Sequence, residues 1–109
     1  EVLGPQQQSA YPWITTKTLN GTISDRAKEA AQIVENMGMD LASLDPVEGV
    51  IEATDTTFWF GFKDDVVIRL RSTEASKVQV DIRSVSRVGQ SDLGVNARRI
   101  TEILAKFKN

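Results

Sequence analysis

A period of two governs the middle of the chain and restricts its fold more than any other feature. Val66, Ile68 and Leu70 recur opposite Val67, Arg69 and Arg71, and after the turn Ser72 to Ser76 the pattern resumes, with Val78, Val80 and Ile82 opposite Gln79, Asp81 and Arg83. Successive side chains of an extended chain point to opposite faces, so both runs are strands with one apolar face. Phe58, Phe60 and Phe62 alternate in the same way with Trp59 and Gly61. Keeping these apolar sets on one side across Lys63-Asp64-Asp65 predicts a hairpin in which Phe62 faces Val66, Phe60 faces Ile68 and Phe58 faces Leu70. Trp59 then lies across from Arg69 on the outer face. The same parity sets Arg71 near Lys77, Arg69 near Gln79, Val67 near Asp81 and Asp65 near Arg83.

The flanking segments supply the remaining elements. Met39 to Leu44 and Val50 to Thr54 read as strands joined by the turn Asp45-Pro46-Val47-Glu48-Gly49, with Ile51 and Ala53 sharing a face. Ile14 to Leu19 fits a short edge strand. Between them, Thr22 to Gly38 is a helix: Thr22 or Ser24 caps its start, Ala27, Ala30, Ala31, Val34 and Met37 form its apolar stripe, and Gly38 ends it. Small side chains in that stripe let the helix lie close on a sheet. A second helix starts at Ser91 or Asp92 and runs to about Phe107. Leu93, Ala97, Ile100, Leu104 and Phe107 form its stripe with Ile103 beside it, and Arg98, Arg99, Glu102 and Lys106 are expected in solvent. Crossover helices of a βαβ fold are missing. The expected class is α+β: a two-layer sandwich in which a four-stranded antiparallel meander, with an additional N-terminal edge strand, is covered on one face by two helices. Residues 1–12, with Pro5, Pro12 and three Gln, read as a flexible arm or tether before a single α+β domain over 13–109.

With 109 residues there is enough chain for one core without a metal or a disulfide. The sequence contains neither cysteine nor histidine, which removes thiol catalysis, disulfides, His-based triads and His or Cys zinc sites. No cofactor and no metal are implied. Residues 1–60 carry three bases against nine acids, a balance of −6, and residues 61–109 carry ten bases against six acids, a balance of +4. Halves of opposite sign attract within one domain, and the second half gains a locally positive face. The bases alternate with Asp64, Asp65, Asp81 and Asp92, which argues against specific nucleic-acid binding. No run is long and apolar enough to span a bilayer. Opening on Glu1 rather than Met leaves room for an upstream segment in a longer product.

Specialised polar residues concentrate around the junction between the last strand and the last helix. In a structural reading, Asp64 or Asp65 pairs with Arg83 or Arg87, Asp92 caps the helix, Asn96 bonds the Arg87 to Gly89 loop, and Gly89 and Gly94 allow close passage or positive φ. In a binding reading, Arg83, Arg87, Ser91, Asn96, Arg98 and Arg99 form a site for a carboxylate, a phosphate or an acidic protein surface. In a catalytic reading, Asp64, Asp81 and Asp92 supply the acid and base of a carboxylate-based or metal-assisted hydrolase-like enzyme. A fourth feature is the outer sheet face, where Trp59, Arg69, Arg71 and Asp81 form a surface that a partner or a second copy, in a weak homo-oligomer, could cover. The structural reading is the first expectation for these residues, and as a function binding is preferred, with a protein or small anionic ligand as partner. The enzyme is the alternative.

The segment FKDDVVIRLR followed by DIRSVSRVGQSDLGVNARRI resembles the core of the DUF1499 family, an uncharacterised domain of bacterial and plastid-related proteins. AYPWI, the helix containing Ala27 to Val34, and GVIEAT follow that family's order of elements, so the resemblance covers roughly residues 10 to 107. It places the family's motif on Asp64, Asp65, Arg69, Arg83, Ser84, Ser86, Arg87, Gly89, Asp92, Gly94, Asn96, Ala97, Arg98 and Ile100, while Trp13 stands where relatives often carry an acid. The resemblance implies a domain displayed at the cell envelope or on its periplasmic side, membrane-anchored in a longer parent protein, with an envelope protein as a partner. A cytoplasmic location is the alternative. It implies no substrate and no catalytic residue.

Overall fold

The computed structural model describes residues 13–56, 63–74, 76–86 and 93–108, with side chains from Lys17 in the first strand and from Asn96 in the last helix. The elements are β1 (Trp13–Asn20), α1 (Ile23–Asn36), β2 (Asp40–Asp45), β3 (Val50–Thr56), β4 (Lys63–Ser72), β5 (Lys77–Ser86) and α2 (Leu93–Lys106). All five strands form one open antiparallel sheet in the order β1-β5-β4-β3-β2. Strands β2 to β5 are a meander, and β1 joins beside β5 as the expected extra edge strand, with a bulge between Ile14 and Lys17.

Both helices pack on one face of this sheet. Ile51 and Ala53 of β3, Val66, Ile68 and Leu70 of β4, and Val78, Val80 and Ile82 of β5 meet Ala27, Ala30 and Val34 of α1, Ile100 and Ile103 of α2, and Phe107 just after α2. Ala27 and Ala30 are fully buried, so the small-residue stripe does bring α1 close to the strands. Thr22 caps α1, its side chain accepting from the Asp25 amide at 3.1 Å, and Gly38 at φ +90° turns the chain out of the helix. At the far end of α2, Lys17 of β1 donates to the Leu104 carbonyl at 2.6 Å, which places a cation where the helix leaves its carbonyls unpaired.

Two details of strand pairing differ from the sequence expectation. Val66 and Ile68 pair with Ala53 and Ile51 of β3, in place of Phe62 and Phe60, and Arg69 lies between Val50 and Asp81. Between β4 and β5 the register is two residues away from the expected one: Arg71 pairs with Gln79, Arg69 with Asp81, Val67 with Arg83 and Asp65 with Val85. The turn is accordingly centred one residue later, with Ser72 still paired to Val78, Thr73 and Lys77 bonded through the backbone, and Ser76 at φ +61°. The arm at 1–12, the alternating run Phe58 to Phe62 and the junction residues Arg87, Gly89, Ser91 and Asp92 lie outside the described residues.

Candidate functional site

Three strands change character at the same end of the sheet. On the helix-facing side, β3 passes from Ile51 and Ala53 to Asp55, β4 begins with Asp64 ahead of Val66, and β5 passes from Ile82 to Ser84 and Ser86. Helix α2 lays Asn96 and Arg99 over this polar end, and both are buried, Arg99 at only 8% exposure.

Arg99 is the hub. Its Nη2 lies 3.0 Å from Asp55 Oδ2 and 3.0 Å from Asp64 Oδ2, while Nη1 donates to Ser84 Oγ at 3.0 Å and to Asn96 Oδ1 at 2.9 Å. Ser84 Oγ donates in turn to Asn96 Oδ1 at 2.6 Å, and Asn96 Nδ2 donates to Ser86 Oγ at 3.3 Å. A guanidinium suits this place because it stays charged and its planar fork meets several acceptors at once. The network fastens the end of β3, the start of β4, the end of β5 and the first turns of α2 to one another.

The expectation that Arg99 is solvated is therefore corrected. The buried stripe of α2 runs through Asn96, Arg99, Ile100, Ile103 and Phe107, with Ala97 and Leu104 at its margin and Arg98 exposed. Asp64, like Asp65 an acid expected for Arg83 or Arg87, pairs with Arg99, and Asn96 bonds Ser84 and Ser86 on the strand. The Arg87 to Gly89 loop, expected as the partner of Asn96, lies outside the described residues. Gly94 sits in the first turn of α2, in helical conformation. Asp55 was not singled out in the sequence. The available signal was parity: it shares the face of Ile51 and Ala53, where an acid needs a buried partner.

Residues of the candidate binding set fall on both sides of the sheet. Arg83 follows Ile82 on β5 and points to the open face, away from Asn96 and Arg99. It lines a depression of about 480 Å³ together with Glu52, Thr54, Asp65, Val67 and Val85. Asp65 accepts from Thr54 Oγ1 there at 3.3 Å. Further along the same face, Arg71 Nη2 pairs with Asp81 Oδ2 at 2.9 Å, and the other carboxylate oxygen of the buried Asp81 has no hydrogen-bond partner among the described residues. The carboxylates proposed for catalysis are thus divided, Asp64 beneath the helices and Asp81 on the open face, each bound to an arginine. Among the described residues no group of three or more acidic, His or Cys side chains assembles to hold a metal, and no helix is long and apolar enough to cross a membrane.

An antiparallel sheet with helices on one face and a buried arginine hub at one end defines an α+β domain without an assembled catalytic constellation among its described residues. The sequence profile of a family described as a protein of unknown function, DUF1499, matches residues 3–107, and the chain belongs to that family. Comparison with curated proteins returned no match.

Proposed function

We propose that this is a binding domain and that it recognises a protein partner through the open face of the sheet, at the end where Arg83 lies. The observation that carries this reading is the depression around Arg83 on the sheet face that, among the described residues, no helix covers. Half-buried Val67 and Val85 provide an apolar floor, and Glu52, Asp65 and Arg83 set charges of both signs around it. Mixed charge around apolar surface suits a protein surface or an extended segment better than a lone anion. Arg99 and Asn96, originally grouped with Arg83, serve the fold, because their polar atoms are taken up inside it. With the envelope setting implied by the family resemblance, the partner is an envelope protein, and fractionation of cells carrying the full-length protein tests that location.

A photo-crosslinking residue placed at Val67 of the full-length protein tests the surface, with the exposed Lys28 of α1 as the comparison site. Adducts to one discrete protein from position 67, reduced by Arg83→Glu and absent from position 28, are the expected result. Equal adducts from both positions, or none from 67, count against the open face.

A further inference from the structure

We infer that Asn20 is a deamidation site that the native fold holds shut, so that aspartate or isoaspartate at this position records opening of the β1 to α1 junction. Asn20 is the one asparagine in the chain followed by glycine, and it is exposed at the end of β1. In an Asn-Gly pair the unhindered glycine nitrogen can attack the asparagine side chain. The Gly21 nitrogen forms a bond to Asn20 Cγ, the bond from Cγ to Nδ2 breaks, and Nδ2 leaves as ammonia carrying the amide proton. Water then opens the five-membered imide at either carbonyl to leave aspartate or isoaspartate.

The fold opposes this reaction at the peptide unit that must react. Its amide, Gly21 N–H, donates to the Ser76 carbonyl at 2.9 Å, and its carbonyl, Asn20 O, accepts from Arg26 Nε at 2.8 Å. Arg26 is itself fixed: its side chain is 11% exposed, Nη1 lies 2.6 Å from Glu29 Oε1, and the same nitrogen bonds the Lys108 carbonyl. Asn20 also pairs with Lys77 of β5. Ring closure requires Asn20 to rotate out of its strand conformation and Gly21 to surrender its bond to Ser76, so the reaction proceeds from an opened form, as amide exchange does. Once formed, isoaspartate adds a methylene to the backbone and a negative charge to a groove already lined by Asp25 and Glu29. That lengthening is incompatible with both the Lys77 pairing and the Ser76 bond, so the first event makes the open junction permanent.

Purified protein is incubated in mildly alkaline buffer, folded and in denaturant, and Asn20, Asn36 and Asn96 are followed by peptide mapping. The expected result is that Asn20 reacts first in the unfolded chain and at least tenfold more slowly in the folded one, equivalent to about 1.4 kcal/mol of local protection. Arg26→Gln, melting as a folded protein, is expected to raise the folded-state rate at Asn20 severalfold. The comparison of folded and unfolded wild-type protein stands even if that variant does not fold. Equal rates at Asn20 in both states, or faster reaction at Asn36 or Asn96 in the unfolded chain, overturns the inference. So does a glycan on Asn20 in protein from its natural source, for which Asn20-Gly21-Thr22 also has the acceptor pattern.

Discussion

Arg99 carries more of the fold than its position in an Arg-Arg pair announces. Removing it leaves Asp64, at 5% exposure, without its cation, and a buried charge stripped of its partner costs far more than the intact pair contributes. Arg99→Ala is expected to lower stability by about 3–5 kcal/mol, measured by urea unfolding. Pairing Arg99→Met with Asp64→Leu is expected to restore part of that loss, because the buried Asp64 charge is gone and only the partly exposed Asp55 carboxylate has lost its arginine. Arg98→Ala, one residue away and exposed, is expected to change stability by no more than about 0.5 kcal/mol. The sequence could not separate these two arginines. Helical spacing located an apolar stripe through Ile100 and Phe107, but the stripe's edge was drawn by hydrophobicity, and a buried Asn96 and Arg99 extend it with polar residues that such a criterion assigns to solvent.

At the scale of elements, periodicity resolved faces well and neighbours poorly. Every core residue expected on β4 and β5 faces the helices, because a one-residue error would have turned each apolar side chain to the wrong side. A two-residue slip preserves every face, which is why the β4 to β5 register could be misjudged without disturbing the apolar pattern. The same blindness let Phe60 stand in for Ile51 as the partner of Ile68, since either satisfies parity. Turn chemistry was more informative. Asp45 Oδ1 accepts from the amides of Val47 and Glu48, and Gly49 closes the β2 to β3 turn at φ +76°, under the Leu70 carbonyl and Ile23. A Cβ at position 49 would lie 2.7 Å from Leu70 O and 2.8 Å from Ile23 Cγ2, so both backbone and helix would have to move. Gly49→Ala is therefore expected to cost about 2–4 kcal/mol, combining left-handed strain with overpacking. A thermal melt in which the variant equals the wild type would contradict the tight approach of turn, strand and α1.

For the whole molecule, opposed charges of the two halves meet inside the fold where Asp55 from the acidic half is bound by Arg99 from the basic half, and a backbone bond from the Lys108 amide to Glu29 at 2.8 Å ties the halves at the surface. Part of the sequence asymmetry thus serves folding. What it leaves unexplained is a sheet with one face covered by helices and the other lined by half-buried valines among charges. Neighbouring residues on β4 separate stability from recognition, since Val66 is 1% exposed beneath the helices and Val67 turns to the open face. Val66→Gln buries an amide between Ala53 and Ser84 beneath the helices and is expected to lose about 3 kcal/mol or more. Val67→Gln alters only the open face, and its cost is expected to stay within about 1 kcal/mol, the span of strand propensities. If the open face is the recognition surface, Val67→Gln retains its melting temperature while losing the adduct formed by a photo-crosslinking residue placed at Val85 in the same depression. A Val67 variant that unfolds, or one that keeps the adduct at wild-type yield, would move recognition elsewhere on the molecule, with the groove of about 770 Å³ between α1 and the end of α2 the next surface to probe.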